Sequence, residues 1–240
     1  MLRYLINFLY PPRCAGCYQR LPINEARRLC SGCIGRIGRL PEPLCAVCGM
    51  PIAAASDSGW CGRCAESPPH FSRARAIARY RAGSDEDAQT LPSLIRRHKY
   101  GRDQSLARAL AECLDPLPFA AGEHDLIMPV PLHHARLRWR GFNQAALIGG
   151  AIAHRLDRRL DTHTLLRVRE TAPQTGQNMR ERRRNIRSAF TVRRPATVAN
   201  RSVLLIDDVI TTGATVDECA RILLAAGARR VDVLALARAL

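Results

Sequence analysis

The stretch VLLIDDVITTGAT, residues 203–215, decides the fold of this chain. An apolar run ends in two adjacent carboxylates, Asp207 and Asp208, and a turn rich in threonine and glycine follows at once. A short apolar run bounded by turn residues is typical of a buried strand, and the apolar residues after residue 215 recur with helical spacing. The stretch therefore predicts a strand, a short loop and a helix, in that order.

The predicted loop suits a sugar phosphate. At the amino end of a helix it offers backbone N–H groups and the positive end of the helix dipole to an anion. Asp207 and Asp208 repel a phosphate, but they suit neutral hydroxyls or a metal. A ribose 5-phosphate, with vicinal hydroxyls near its phosphate, would satisfy both halves together. A plain helix cap explains one aspartate, but neither the second aspartate nor the threonines.

The chain from residue 74 onward alternates between strand-like and helix-like segments. Such alternation predicts an α/β fold with a mainly parallel sheet and helices on both faces, and ligands bind beyond the carboxyl ends of its strands. Loops are expected there at 131–142, 169–187 and 207–214. Strands are predicted at 75–80, 125–131, 162–168, 189–192, 203–207 and 231–237, and helices at 93–100, 105–114, 143–156 and 215–226.

The front of the chain is a cysteine repeat. Two successive sets have the pattern C-x2-C-x12-C-x2-C, and the second set repeats the first at an offset of 31 residues. The spacing is close to that of four-thiolate zinc ribbons, which are closed and structural. A disulfide framework is the alternative, but it does not suit a reducing compartment. The predicted ligands of two structural Zn²⁺ ions are Cys14, Cys17, Cys30, Cys33, Cys45, Cys48, Cys61 and Cys64.

Pairing of the ligands within each set is the simpler model, and an interleaved arrangement stays open at this point. The predicted domains are a double zinc-ribbon module over residues 1–68, a linker over 69–75 and an α/β domain over 76–240. No signal peptide or membrane span is visible in the sequence, so we expect a cytoplasmic protein.

The formal net charge is +16, and 36 of the 37 basic residues are arginine, with Lys99 as the single lysine. Arginines cluster at 136–140 and 180–187. Such clusters attract phosphates or nucleic acid, and a solvated arginine surface is the alternative interpretation. With 5 Phe, 5 Tyr and 2 Trp, the chain has few platforms on which single-stranded bases could stack.

The quoted stretch resembles the phosphoribosyl pyrophosphate loop of the type I phosphoribosyltransferases. Together with PVPLHHARLRWRGFNQA (129–145), PQTGQNMRERRRNIRSAF (173–190) and the cysteine-rich front, it makes nearly the whole chain resemble the ComF family of competence proteins and GntX-type relatives. The resemblance implies a type I phosphoribosyltransferase-like domain behind zinc ribbons. It also implies a role in DNA uptake or in the use of external DNA.

The resemblance also implies roles for individual residues. Asp207 and Asp208 would hold the ribose hydroxyls, and Mg²⁺ would ride on the pyrophosphate. The candidates for pyrophosphate contacts are Arg136 and Arg140 in the loop 131–142, Arg180 in a lid over 169–185, and Lys99 in RRHKYGRD. The candidates for holding the 5-phosphate are Thr211, Thr212, Gly213, Ala214 and Thr215.

Three functions remain open from the sequence. The first is an enzyme that transfers phosphoribosyl to an unidentified acceptor. The second is a non-catalytic protein that keeps the pocket for sensing or structure and holds single-stranded DNA or a partner, with a competence helicase among the candidates. The third is a zinc-stabilised adaptor with a vestigial pocket, against which the intact acidic pair argues. We expect a pocket for phosphoribosyl pyrophosphate or a related ribose phosphate.

Overall fold

The computed structural model describes residues 10–23, 27–53, 58–80, 91–101, 103–170 and 185–240. Its centre is a five-stranded sheet of order β1-β7-β6-β2-β3, in which every neighbouring pair is parallel. Apolar residues predominate in the central strands, as expected where both faces are covered. The strands of this sheet are β1 (Arg73–Tyr80), β2 (Leu126–Pro129), β3 (Arg159–Leu160), β6 (Ser202–Ile210) and β7 (Arg230–Ala239).

A second, two-stranded antiparallel sheet consists of β4 (Leu165–Arg167) and β5 (Phe190–Val192). The strand predicted at 162–168 is therefore shorter than expected and lies outside the parallel sheet. The cause is a turn at Asp161, whose Oδ1 accepts hydrogen bonds from the backbone N–H groups of His163 and Thr164.

Helices connect the strands. None of those in the described part of the chain is long and apolar enough to cross a membrane. The helix predicted at 143–156 is present, and the Asn143 side chain caps it by accepting a hydrogen bond from the N–H of Ala145. The helices are α1 (Ser31–Gly35), α2 (Gly62–Glu66), α3 (Leu91–Tyr100), α4 (Leu106–Glu112), α5 (His134–Arg140), α6 (Gln144–Leu156), α7 (Pro195–Val198) and α8 (Ala214–Ala225).

The prediction of a loop over 131–142 was wrong, because most of that segment forms helix α5. Gly141, interpreted from sequence as a sign of a loop, ends this helix in the left-handed conformation at φ +85°, and its N–H donates to the Leu137 carbonyl. The helical turn places Arg136 and Arg140 on one side, since residues four apart share a helix face.

The core has two halves, one on each face of the sheet. Alternation along β6 sends Leu204 and Ile206 into a cluster with α3, α4 and α6. Val203 and Leu205 enter the opposite cluster, which contains the buried side of α8. The predicted fold, a parallel sheet with helices on both faces, is therefore confirmed.

The two cysteine-rich units pack on opposite faces of the sheet. The first contributes Cys14 and Cys33 to the cluster of α3, α4 and α6, and the second contributes Cys45 and Cys64 to the cluster of α8. The segment between the two units covers the outer edge of β1, where the Leu40 N–H donates to the Ile77 carbonyl. Covering this edge removes an exposed row of unpaired backbone groups.

Close approach between the second unit and β1 requires a glycine. Gly49 has φ +67°, and a Cβ at that position would lie 2.6 Å from the carbonyl oxygen of Ala74. The N–H of Ala74 in turn donates to the Val47 carbonyl. Because β1 begins at Arg73, inside the segment 69–75, the predicted linker runs directly into the sheet. The domain boundaries themselves stay a prediction.

Candidate sugar-phosphate site and zinc centres

The acidic pair lies within a strand and not in the loop after it. β6 continues to Ile210, which pairs with Arg238 of β7, so the predicted loop 207–214 shrinks to the residues between β6 and α8. Asp207 and Asp208 are both partly buried, and the Asp208 N–H donates to Asp207 Oδ1 at 2.9 Å. Successive strand residues point to opposite faces, and both aspartates lie near the carboxyl end of β6, the edge at which ligands of parallel sheets bind.

Lys99, at the end of α3, reaches the pair from one side. Its Nζ lies 2.9 Å from Asp208 Oδ1, and both side chains are mostly buried. Burial lowers the pKa of Lys99, but the carboxylates of Asp208 and Asp207 outweigh it and raise the pKa above its usual value. The single lysine of the chain therefore neutralises part of the charge of the acidic pair.

The carboxyl group of Asp207 has a raised pKa. Burial and the neighbouring Asp208 raise its pKa to about 7, although Lys99 and the Asp208 N–H act in the opposite direction. Two adjacent carboxylates in a partly buried site resist carrying two negative charges. Asp207 therefore holds its proton to higher pH than an ordinary aspartate.

The loop between β6 and α8 has the geometry of an anion cradle. Gly213 is the N-cap of α8 with φ +82°, a left-handed conformation that strains other residues. The Thr212 hydroxyl accepts from the Ala214 N–H at 3.3 Å, whereas Thr211 is exposed and Thr215 is partly exposed in the first helical turn. A helix start of this kind can offer backbone N–H groups to an anion.

Helix α5 brings Arg140 toward the acidic pair. Arg140 is 8% exposed, and its Nη1 donates to Gln144 Oε1 at 2.7 Å. Burial lowers the pKa of Arg140, while the carboxylate of Asp208 acts to raise it, which shows that the two charges interact. Arg136 lies one turn earlier on the same side and is partly exposed.

The structure adds Arg167 of β4, which sequence reasoning missed. Burial and the nearby Arg136 lower the pKa of Arg167, and the charge of Asp207 partly offsets them. Its guanidinium also stacks on the Phe190 ring, 5.6 Å from the ring centroid. No motif marks this arginine in a sequence so rich in arginine, since only the docking of the small sheet brings it near Asp207.

The last sequence-predicted candidate, Arg180, lies outside the described residues, as does most of the predicted lid. Arg138, the third arginine of the 136–140 cluster, is exposed on the outer side of α5. The structure thus brings Lys99, Arg140 and the acidic pair together.

The cysteines form two separate clusters, each made from one set. The four thiol sulfurs of each cluster lie within 4.8 Å of one another. Three pairs are 3.6–3.7 Å apart, namely Cys14–Cys33, Cys17–Cys30 and Cys48–Cys61. A tetrahedral ZnS4 centre with Zn–S bonds of about 2.3 Å has sulfur–sulfur edges of about 3.8 Å. Pairing is therefore within each set, and the interleaved alternative is excluded.

The surroundings of the sulfurs also fit zinc. The N–H groups of Cys30 and Cys61 point at the sulfurs of Cys14 and Cys45, at 3.2 and 3.3 Å. Burial raises the pKa of the Cys14 and Cys45 thiols, but backbone N–H groups outweigh it and lower each pKa to about 6. Cys14 and Cys45, one thiol in each cluster, therefore favour the thiolate, the form that binds Zn²⁺.

Arg238 gives an independent test of the second centre. Its side chain is 1% exposed, and its Nε and Nη1 have no hydrogen-bond partner among the described residues. Burial lowers its pKa, whereas Cys48, Cys64 and Cys61 act to raise it. A buried unpaired guanidinium is costly, and a four-thiolate zinc centre of formal charge −2 supplies the missing counter-charge. Two structural Zn²⁺ ions thus fit the two cysteine quartets.

The second cysteine cluster lies directly against the anion cradle. A cavity of about 30 Å³, room for about one water molecule, is lined by Cys48, Cys64, Arg238, Thr212 and Gly213, among others. The remaining cysteines, Cys113 and Cys219, are buried away from both clusters.

These features define a phosphoribosyltransferase-type domain joined to a double zinc ribbon. Residues 143–240 match the phosphoribosyl transferase domain model, and residues 5–65 match the double zinc ribbon domain model.

Full-length relatives identify the family. The chain is 37% identical to the DNA utilization protein YhgH of Salmonella typhimurium, over 88% of this chain and 91% of the relative. It is 36% identical to YhgH of Escherichia coli K12 over the same shares. It is 33% identical to competence protein F of Haemophilus influenzae, over 98% of this chain and 100% of the relative. The chain belongs to the family of these proteins, the ComF family, as its motifs predict.

Proposed function

We propose that this protein binds phosphoribosyl pyrophosphate, or a related ribose phosphate, at the junction of β6 and α8, and that it acts in DNA uptake or in the use of external DNA. The observation that carries the first part is the acidic pair Asp207–Asp208 beside the Gly213-capped start of α8. The names of the relatives, DNA utilization protein and competence protein, support the second part.

The two halves of the site suit the two ends of a ribose 5-phosphate. The ribose hydroxyls donate hydrogen bonds to the carboxylates of Asp207 and Asp208. The 5-phosphate accepts from the N–H groups and hydroxyls of residues 211–215, where the helix dipole favours negative charge. Because carboxylates accept hydrogen bonds best when ionised, this binding mode favours loss of the proton from Asp207.

A pyrophosphate group needs cationic partners. Lys99 and Arg140 lie beside the acidic pair on the side of α3 and α5, and Arg136 is close to Arg140. Mg²⁺ bound to the pyrophosphate would neutralise part of its charge. Carboxylates and phosphate oxygens are ligands that Mg²⁺ prefers, so the acidic pair is compatible with it.

Transfer of the phosphoribosyl group is the reaction that such a site suits. The anomeric carbon develops positive charge while pyrophosphate leaves, so the residues must stabilise the leaving charge and exclude water. Arg140, being 8% exposed, is preorganised by Gln144 for the first task. The acceptor is unidentified.

Calorimetry with phosphoribosyl pyrophosphate and Mg²⁺ tests the site. The wild type should bind, and the Asp207→Asn/Asp208→Asn double variant should lose most of the affinity. Asp157→Asn is the matched control, because Asp157 is exposed at the end of α6 in a left-handed conformation that asparagine tolerates. Equal binding by the wild type and the double variant would disprove the site.

A second candidate function is a non-catalytic one, in which the pocket senses the ligand and the protein holds single-stranded DNA. The net charge of +16 favours it. The two candidates differ in whether pyrophosphate is released. The assay supplies a set of amine and nucleobase acceptors as well as water, so that the phosphoribosyl group has a nucleophile to bond to. Release above the uncatalysed rate that is lost in the Asp207→Asn/Asp208→Asn variant supports the enzyme, and ligand binding without release in the presence of these acceptors favours the sensor.

A further inference from the structure

Two exposed aromatic side chains flank one arginine next to the acidic pair. Tyr100, the last residue of α3, is 63% exposed, and Trp139 of α5 is 59% exposed. The Arg140 guanidinium carbon lies 5.6 Å from the centroid of the Tyr100 ring and 5.9 Å from that of the Trp139 ring. We call the group of Tyr100, Arg140 and Trp139 the aromatic platform.

The fold holds the platform in place although its rings face solvent. Arg140 is buried and donates to Gln144 Oε1, so the cation next to both rings is held in place. Lys99, the neighbour of Tyr100, forms an ion pair with Asp208, which anchors the end of α3. The two exposed rings cluster at one buried arginine, and Tyr and Trp, which combine a large apolar ring with a polar atom, are enriched at recognition surfaces.

The charges around the platform indicate what it binds. Arg138 and Arg136 lie on the same short helix as Trp139, and the carboxylates nearest to the platform already interact with Lys99 and Arg140. A positive surface with exposed aromatic rings suits a polyanion whose bases have flat π-faces. Single-stranded DNA has both properties, whereas the bases of a duplex are stacked away from such rings.

We propose that the aromatic platform stacks bases of single-stranded DNA and holds the strand beside the sugar-phosphate site. This inference rests on the DNA role in the proposed function, and it adds a surface and a binding mode. The nucleobase contacts Trp139 and Tyr100, while Arg136 and Arg138 contact backbone phosphates. Stacking tolerates every base, so we expect little sequence preference.

Tryptophan fluorescence reports directly on the platform. The chain has two tryptophans, so the Trp60→Phe variant leaves Trp139 as the single one. Titration of this variant with oligodeoxythymidine should quench Trp139 saturably, and the affinity should weaken as salt rises. Binding of the oligonucleotide measured by anisotropy without any quenching of Trp139 would contradict the proposal, and so would the absence of binding.

Substitutions separate stacking from charge. Replacing a stacking residue costs about 1–3 kcal/mol per base, so Trp139→Ala should weaken oligonucleotide binding about 5- to 150-fold. Trp139→Phe should recover part of the loss, and Trp60→Ala, in the ribbon module, should change little. Arg138→Ala should retain the quenching of Trp139. It should reduce the slope of log affinity against log salt concentration by about 1, the change expected for the loss of one phosphate contact. Unchanged affinity in both Trp139→Ala and Tyr100→Ala would overturn the assignment.

Two further measurements distinguish DNA binding at the aromatic platform from ligand binding at the sugar-phosphate site. Thymidine monophosphate should bind much more weakly than the oligonucleotide, and equal affinity would show that the platform reads a free nucleotide instead of a strand. Trp139→Ala should bind phosphoribosyl pyrophosphate like the wild type, while Asp207→Asn/Asp208→Asn should still bind the oligonucleotide. Failure of one ligand with retention of the other therefore identifies which proposal is wrong.

Discussion

Lys99 and Asp208 form an ion pair of 2.9 Å between the end of α3 and the end of β6. Every other basic residue of the chain is an arginine. An ammonium group is compact and binds as a point charge, whereas a planar guanidinium needs more room and binds as a fork. The contact between Lys99 Nζ and a single oxygen of the partly buried Asp208 carboxylate suits the compact ammonium group of a lysine.

Replacing Lys99 should change the titration of the acidic pair. Lys99 lowers the pKa of Asp207, so Lys99→Met should raise that pKa further and keep the proton to higher pH. NMR titration of the aspartate carboxyl carbons measures the change. Lys99→Arg is the matched control, because it keeps the charge. An Asp207 pKa that is equal in wild type and Lys99→Met would show that the ion pair does not control the site.

Ligand affinity should depend on pH through Asp207. Its pKa of about 7 means that a ligand requiring both carboxylates ionised displaces a proton, so affinity should fall as pH drops below about 7. Well below pH 7, the affinity should fall about tenfold for each further pH unit, because binding displaces one proton. Calorimetry in buffers of different ionisation enthalpy measures the released proton. The Asp207→Asn variant should show no such proton release, and a pH-independent affinity in the wild type would contradict the role of Asp207.

The same shift predicts the pH dependence of stability. A carboxyl group whose folded-state pKa is raised binds more protons folded than unfolded, so its contribution to stability is present at low pH. It is lost as pH rises from about 4 toward 7. The difference in melting temperature between Asp207→Asn and the wild type should therefore grow in favour of the variant over this range. A difference that is constant from pH 4 to 8 would refute the raised pKa.

Gly213→Ala should damage the anion cradle. The left-handed conformation at φ +82° costs a side-chain-bearing residue about 1 kcal/mol or more, although the space around it is open. We expect lower stability by thermal melting and weaker binding of the 5-phosphate. Gly150→Ala in α6 is the matched control, and it should be neutral or stabilising because alanine favours helices and its Cβ meets only ordinary contact. Unchanged stability and unchanged ligand binding in Gly213→Ala would mean that the loop does not require a glycine at this position.

The zinc centres should differ in their dependence on Arg238. The wild type should hold close to two zinc ions per chain by elemental analysis. Arg238→Met should release the second zinc to a chelator more readily, because the thiolates lose their buried counter-charge, and Arg238→Lys should restore part of the retention. Cys14→Ser, in the first centre, identifies which zinc is lost. Equal release from the wild type and Arg238→Met would show that Arg238 is not the counter-charge.

The local motifs were predictable because each is contiguous in sequence. The stretch 203–215 gave a strand, a turn at Gly213 and a helix, and the cysteine spacing gave two quartets. The predictions that failed concern boundaries. Helix α5 was interpreted as a loop, since its alternating arginines mask a helical face and Gly141 caps a helix as readily as it marks a turn. β6 extends past the aspartates because β7 offers backbone partners as far as Arg238.

The sequence by itself determined the fold class, the two zinc-ribbon units and the acidic pair followed by an anion-binding turn, because these depend on residue types at short, fixed spacing. Only the tertiary structure decided which distant residues meet there. Lys99 and Arg167 reach the pair from opposite faces of the sheet, and the rings of Tyr100 and Trp139 both lie close to the Arg140 guanidinium. Such contacts depend on how helices and strands pack across the sheet, and packing joins residues that no sequence interval connects.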